Sequence, residues 1–315
     1  MNATAVVLDA PELLRLGDLP LIEPAADDVV VDVSWSGIST GTERLLFTGR
    51  MPAFPGMGYP LVPGYESVGR VVEAGSNSGF EPGQPVFVPG ANCFGPVRGL
   101  FGGAASRLVV PGRRVVAVDD ALGEQAVLLA LAATAYHAVA CGGKAEHPVP
   151  PELIVGHGVL GRLLARLNVA AGVTNTVVWE TNAARAGGAQ GYTVIDPKDD
   201  DRRNYRVICD VSGDAGLLNT LISRLAPGGE IILAGFYSQA LSFDFAPAFM
   251  REARIRAAAE WQRPDLLAVQ SLLADGRLNL GGLITHHSPF EQAETAYKTA
   301  FGDASCLKMV IDWRQ

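Results

Sequence analysis

The chain has 315 residues, 48% of them hydrophobic and 18% charged, with a formal net charge of −8. That length exceeds what one α/β core comfortably holds, so two domains are expected, and the composition excludes a disordered chain. Scattered arginines and an acidic balance argue against a nucleic-acid partner, because phosphate binding rests on clustered Lys and Arg.

The chain opens on MNATAVVL, which reads as a strand and lacks the basic segment and cleavage site of a signal peptide. Strands are expected at 3–8, 29–34, 65–73, 85–88 and 106–110, separated by the turn-formers PGMGYP, VPGYE, EPGQP, VPGAN and GLFGG. Residues 1–122 therefore read as mostly antiparallel β with long loops, and long loops on a compact scaffold tend to carry function. The apolar run 126–141 holds Thr134, Tyr136 and His137 and falls short of the roughly 20 residues a bilayer span needs. A buried helix is expected there, and no transmembrane segment.

Beyond it the pattern alternates strand and helix: strand 153–155, helix 159–170, strand 176–179, helix 183–189 and strand 192–195. Strand 206–211, helix 216–225 and strand 230–234 follow. Such alternation predicts an α/β unit with a doubly wound parallel sheet over 123–276. Residues 255–261 read as an edge strand open to pairing in a homodimer, and 264–273 as a further helix. The tail, with strands at 284–288 and 307–312, is expected to return to the first domain, so that 277–315 completes it. Cys93, Cys141, Cys209 and Cys306 form no CxxC pair, which suits the reducing cytoplasm and excludes a structural zinc lobe.

The strongest motif is Gly156-His157-Gly158-Val159-Leu160-Gly161, a G-x-G-x-x-G turn that follows an apolar strand and opens an amphipathic helix. Gly156 permits the tight turn, Gly158 lets backbone approach a pyrophosphate, and Gly161 lets helix and strand pack closely. The helix start at Val159 and Leu160 offers unpaired N–H groups to phosphate. The His157 side chain could sense the pyrophosphate, but the backbone does the binding and an incidental role is the plainer reading. Glu180 ends the next strand, where a carboxylate accepts hydrogen bonds from the ribose hydroxyls and repels a 2′-phosphate. NAD is therefore expected over NADP, with Arg185 as the residue that could receive a phosphate instead. Ser212, Gly213, Gly235 and Phe236 end later strands at the same side of the sheet.

Four runs carry a wider likeness: Gly37-Ile38-Ser39-Thr40-Gly41-Thr42-Glu43, Pro63-Gly64-Tyr65-Glu66, Thr134-Ala135-Tyr136-His137-Ala138 and Ala226-Pro227-Gly228-Gly229. With the β-rich front, the Rossmann half and the returning tail, they resemble the medium-chain dehydrogenase/reductase family over nearly the whole chain. The resemblance implies a GroES-like catalytic domain beside the nucleotide-binding one, and Thr134 touching the nicotinamide. It also implies where catalytic zinc would sit in the zinc-dependent members. Thr40, or Ser39 in a second alignment, stands at the Cys ligand, Tyr65 at the His ligand, and Leu129–Ala130 at the third. None of these is a usual zinc ligand, so no metal is expected.

The runs SGISTGTERLLFTGRMPAFPGMGYPLVPGYESVGRVVEAG and VPGANCFGPVRGLFGGAASRLVVPG are similar to a zinc-free branch of that family. Its activity implies an NAD-dependent oxidation of the 3-(1-hydroxyethyl) group of a chlorophyllide-type tetrapyrrole to acetyl, in bacteriochlorophyll synthesis. Without zinc, side chains must take the hydroxyl proton. Tyr65 and Glu66 are expected to do so in the vacated metal site, with Glu43, Ser39, Thr40 and Thr42 as further candidates and relays. A structural carboxylate is the plainer reading of Glu66, as a core histidine is of His137. Phe54, Met57, Tyr59 and Phe94 are expected to line a cleft for a flat apolar ligand, with His137 near it; ordinary loop packing is the alternative. Two other functions fit the motifs: a zinc-free quinone or enoyl reductase using NADPH, and a non-catalytic nucleotide-binding protein.

Overall fold

The computed structural model describes residues 1–53, 55–140 and 149–314, so Phe54 and Cys141 lie outside the described residues. The chain divides into two compact units, residues 1–130 with 281–315, and residues 131–280. The first break falls later than the expected 122/123 because the helical run Asp120–Leu128 packs on the strands Asp28–Ile38, Ser67–Ala74 and Pro85–Val88 of the first unit.

In the first unit, one sheet of seven strands runs His286–Pro289, Met309–Asp312, Asp28–Ile38, Ser67–Ala74, Pro85–Val88 and Val116–Ala117, with Arg107–Pro111 also pairing Asp28–Ile38. A second sheet of four runs Leu13–Pro20, Asn2–Ala10, Leu61–Val62 and Arg98–Gly99. Consecutive apolar residues mark strands covered on both faces. Val29, Val30 and Val31 are fully buried accordingly, as are Val6, Val7 and Leu8. The returning tail is part of this unit: Met309 stands opposite Ile38 and Ile311 opposite Ser36 in antiparallel register.

The second unit is a six-stranded parallel sheet in the order Thr193–Ile195, Val177–Trp179, Leu153–Val155, Tyr205–Asp210, Leu225–Leu233, Arg254–Ala257. The first strand in sequence lies in the middle, so the chain reverses direction across the sheet at its carboxyl end. That is where doubly wound sheets bind ligands. The helix Val159–Ala170 springs from this point and buries Leu163, Leu164 and Ala165 on the sheet.

Local differences from the sequence reading have local causes. The helix expected at 183–189 is only a 3₁₀ turn, Ala183–Arg185, because Asn182 caps it and Gly187 and Gly188 follow. The strand expected at 230–234 starts earlier, as Leu225–Leu233. The edge strand is Arg254–Ala257 and not 255–261. Elements not expected include the strand Leu13–Pro20 and the helices Thr42–Phe47, Phe245–Met250 and Ala293–Gly302. Among the described residues one helical run, Asp120–Ala140, is long and apolar enough to cross a membrane by length and composition. It is kinked at Gly123, and Ala126–Ala130 are fully buried in the protein, as befits a core helix.

Candidate active site

Two constellations hold the chemistry-bearing residues, one in each unit. In the first unit the sheet register brings Lys308, one residue before the strand Met309–Asp312, against the end of Asp28–Ile38. Its Nζ donates to the Ile38 carbonyl at 3.1 Å and meets Glu66 Oε2 at 2.6 Å. Glu66 precedes the strand Ser67–Ala74 and has no exposed surface. Gly37 makes room for it, since a Cβ there would stand 2.2 Å from Glu66 Oε2. Burial pushes the Glu66 carboxyl above its usual range while the Lys308 charge opposes that. The second oxygen, Oε1, is buried with no hydrogen-bond partner among the described residues.

Glu43, on the helix Thr42–Phe47, is a second fully buried carboxylate. The Ser39 N–H donates to its Oε1 at 2.9 Å and the Tyr297 hydroxyl to its Oε2 at 2.8 Å. Tyr297 comes from the helix Ala293–Gly302 and is 1% exposed. Burial is the largest influence and, with a smaller push from the Glu66 charge, outweighs the two hydrogen bonds, so the Glu43 pKa rises to about 7. Ser39 links this carboxylate to Tyr65, because its hydroxyl lies 2.5 Å from the half-buried Tyr65 hydroxyl. Burial and the negative charge of Glu66 drive the Tyr65 phenol well above its ordinary value, against hydrogen bonds from Ser39 and Thr42. Tyr65 is thus a neutral hydroxyl at any physiological pH. Thr40 and Thr42 are half-buried beside this chain of groups in sequence.

Of the residues expected to line a cleft, Met57 and Tyr59 are half-buried and pack against the core of the first unit, the Tyr59 hydroxyl donating to the Leu46 carbonyl. Phe94 is a correction: at 1% exposure it is an interior residue of that core, closed to a ligand. Ser39, Thr40, Tyr65, Leu129 and Ala130 make a donor set unsuited to zinc. Among the described residues no three His, Cys, Asp or Glu side chains gather as metal ligands.

In the second unit the glycine turn has the shape its sequence demands. Gly156 adopts φ +106°, and a Cβ on Gly161 would stand 1.9 Å from the Gly156 carbonyl oxygen. A Cβ on Gly158 would meet nothing within 4 Å, so open space lies over the start of the helix Val159–Ala170. Gly158 provides no side-chain cap, and the first amides of that helix are left for an anion. Val159 and Leu160 contribute backbone there. Gly156, Ser212, Gly213, Gly235 and Phe236 converge: Cβ atoms on Gly156 and Gly235 would lie 3.5 Å from Ser212 and 3.0 Å from the Gly213 nitrogen, and one on Gly213 3.1 Å from the Phe236 carbonyl. This cradle fits a dinucleotide pyrophosphate.

Glu180 stands at the end of Val177–Trp179, its Oε1 accepting from the Asn182 N–H at 2.8 Å and its Oε2 from the His157 N–H at 3.1 Å. Both carboxylate oxygens are held in place by backbone N–H groups. His157 is fully buried with both ring nitrogens engaged, contrary to the incidental role read from sequence. His137, on the helix Leu129–Ala140 that also carries the half-buried Thr134, is 6% exposed and its Nδ1 lies 2.8 Å from the buried Asp265 carboxylate. That pairing ties two helices of the second unit together.

Sequence reasoning missed Lys308 and Tyr297. A lone lysine inside the apolar run CLKMVID was the signal for the first, and the i, i+3, i+4, i+7 spacing of Ala293, Ala296, Tyr297 and Ala300 marked the helix that carries the second.

Comparison with known proteins adds to this geometry. Residues 25–120 match the family model of the alcohol dehydrogenase GroES-like domain. The chain is 57% identical over 319 residues to the 2-desacetyl-2-hydroxyethyl bacteriochlorophyllide A dehydrogenase of Cereibacter sphaeroides, covering 100% of this chain and 99% of the relative. Identity to the protein of the same name from Rhodobacter capsulatus is 55% over 315 residues, with 100% and 99% covered. Among solved structures, an alcohol dehydrogenase from Escherichia coli in complex with NADH superposes with a TM-score of 0.82 at 21% identity, covering 99% of both chains.

Proposed function

Because this chain belongs to the family of 2-desacetyl-2-hydroxyethyl bacteriochlorophyllide A dehydrogenases, within the medium-chain dehydrogenases and reductases, we propose that it oxidises the hydroxyethyl group of a bacteriochlorophyllide-type tetrapyrrole to acetyl, with NAD as acceptor. Full-length identity above one half to two relatives named for this step carries the reading. The same relatives speak against the quinone or enoyl reductase and the non-catalytic alternatives. The buried thiols of Cys93 and Cys209 support a cytoplasmic setting.

When bound, NAD supplies the nicotinamide carbon that accepts the hydride from the carbinol carbon. The glycine turn would hold its pyrophosphate through backbone N–H groups, and Glu180 its adenosine ribose; that carboxylate repels a 2′-phosphate and supports NAD over NADP. As the hydride leaves, the hydroxyl proton must leave too, and the C–O bond becomes C=O. We assign that proton to the Tyr65–Ser39 hydroxyl pair. Tyr65 stays neutral and works as a relay, taking a proton on one side and giving one on the other. Ser39 meets both partners, Tyr65 through its hydroxyl and Glu43 through its N–H. Glu43 accepts from the Ser39 amide N–H and from the Tyr297 hydroxyl, so it fixes the position of Ser39 and lies off the hydroxyl chain, and the relayed proton passes from the Ser39 hydroxyl to water. Glu66, clasped by Lys308, adds a negative charge that helps keep the Tyr65 phenol protonated. The reaction in this reading proceeds without zinc, because hydroxyl and aliphatic groups occupy the ligand positions.

The exposed edge strand Arg254–Ala257, preceded by Phe245, Phe249 and Met250 at 65–76% exposure, supports pairing with a second copy. Sedimentation would show a dimer, and a monomer at all concentrations would refute it.

The deciding assay mixes purified protein with NAD and the hydroxyethyl bacteriochlorophyllide and follows reduced nicotinamide together with the pigment spectrum. One acetyl product per NADH is expected, with NADP poorer and chelators without effect. No turnover with either nucleotide would overturn the assignment.

A further inference from the structure

The segment 180–191 holds the residues that would meet the adenosine end of the cofactor, yet it has almost no regular structure: one 3₁₀ turn, then six exposed residues from Ala186 to Gly191. A loop of this kind is ordinarily mobile, which would leave Glu180 poorly aimed. Here it is fastened from below by side chains of the glycine turn and its helix. The carbonyl of Arg185 can only accept, so His157 Nδ1 donates to it, at 2.6 Å. The other nitrogen, Nε2, then accepts from the Tyr192 hydroxyl at 2.8 Å. Burial, aided by the Arg162 charge, holds the imidazole below its ordinary pKa, so this neutral tautomer persists at neutral pH.

Arg162, 5% exposed, completes the fastening. Its Nε donates to the His157 carbonyl at 3.1 Å, and its Nη2 to the carbonyls of Arg185 at 2.9 Å and Gly187 at 2.8 Å. A buried guanidinium is costly unless its donors are satisfied. Three of its five N–H donors are spent on carbonyls in this way and are withdrawn from any phosphate. Gly188, at φ +84°, leaves room for this arrangement, since a Cβ there would stand 2.5 Å from Arg162 Nη1.

We propose that His157, Tyr192 and Arg162 are positioning residues that lock the 180–188 loop in its binding shape, and so set the affinity and NAD selectivity of the adenosine half of the cofactor site. They touch no reacting atom. The inference rests on the nicotinamide-dinucleotide reading above, and its test needs no turnover.

Measure binding of ADP-ribose, NADH and NADPH by calorimetry to the full chain and to Tyr192→Phe, His157→Phe and the double variant, alongside thermal melting. Tyr192→Phe deletes a single hydroxyl and keeps the fold testable should His157→Phe unfold. One lost hydrogen bond in a preorganised site predicts about tenfold weaker ADP-ribose and NADH binding in Tyr192→Phe, and His157→Phe, which also loses the Nδ1 bond to the Arg185 carbonyl, should weaken binding at least as much. The double variant should lose little more than His157→Phe alone, because Tyr192 acts through His157. The NADH-to-NADPH preference should narrow in all of them. With turnover measured separately, KM for NAD should rise while kcat stays within about twofold. A lowered melting temperature with unchanged ADP-ribose affinity would make the clamp merely structural and overturn the proposal. Failure of the unaltered protein to bind any of the three ligands would overturn the cofactor reading itself.

Discussion

Lys308 and Glu66 form a 2.6 Å ion pair in which neither side chain is more than 1% exposed. The pair joins residues 242 positions apart, and its Glu66 charge is felt by the neighbouring Tyr65 phenol. Removing either partner leaves a charge buried without its counter-ion, which is far costlier than never having had the pair. Lys308→Met should therefore cost about 3–5 kcal/mol of stability, read from urea unfolding, and the double variant Lys308→Met/Glu66→Gln should recover part of it. A Lys308→Met protein as stable as the unaltered one would show the pair to be dispensable.

Glu43 gives the protein a pH signature. Its folded pKa of about 7 lies above the ordinary glutamate value of 4.5. Between those two values the folded state holds the proton more tightly than the unfolded state. The slope of stability with pH is then negative: the contribution is intact below the lower value and is lost as pH rises through the upper one. The loss amounts to about 3 kcal/mol at most. Glu43→Gln should flatten that slope, so the variant gains on the parent between about pH 5 and about pH 8 in chemical denaturation.

Tyr65→Phe keeps the ring that meets Phe101 edge-on at 5.2 Å and deletes the hydroxyl alone. If that hydroxyl relays the proton, kcat falls about 10²-fold or more while KM for the pigment moves little. Ser39→Ala should fall less, since a water can replace a serine hydroxyl. Equal activity in Tyr65→Phe would remove the relay.

Two glycines of the cofactor turn should respond in opposite ways. Space around Gly158 is open, so Gly158→Val should fold with nearly its normal melting temperature yet bind NADH at least about 100-fold more weakly, the branched side chain standing where the pyrophosphate belongs. Gly161 has no such freedom, because a Cβ would press to 1.9 Å from the Gly156 carbonyl. Gly161→Val should lower stability itself, visible by calorimetry without ligand.

The second unit was the more legible in sequence because its signals are local. A glycine turn, an apolar strand and an amphipathic helix lie within about 20 neighbouring residues, and each is dictated by short-range sterics. Glu180 could be read from spacing alone. His157 could not: its role comes from Tyr192 and Arg162, which reach it only once helix and loop are packed. In the first unit the carboxylates were visible as residue types, but their partners were not. Tyr297 and Lys308 arrive by antiparallel register and helix packing from the far end of the chain, where no periodicity within 36–75 could announce them. The strand Leu13–Pro20 escaped because Arg15, Gly17 and Asp18 break its apolar pattern, although Leu14, Leu19 and Val7 opposite Arg15 fit a hairpin. Phe94 read as a ligand contact because an aromatic ring suits a flat apolar ligand, whereas its 1% exposure comes from packing in the core of the first unit.

The pairing of Met309–Asp312 with Asp28–Ile38 has a consequence for biogenesis. On the ribosome, the sheet holding Glu66 is begun early but stays an open edge until residue 308 has been translated, by which time the nucleotide-binding unit has been made in full. The half translated first is thus completed last, and the acid of its buried pair waits for its base through the synthesis of 241 intervening residues. A nascent chain stalled before that point would expose an unpaired strand and an uncompensated carboxylate, a species that folding helpers and proteases are suited to recognise.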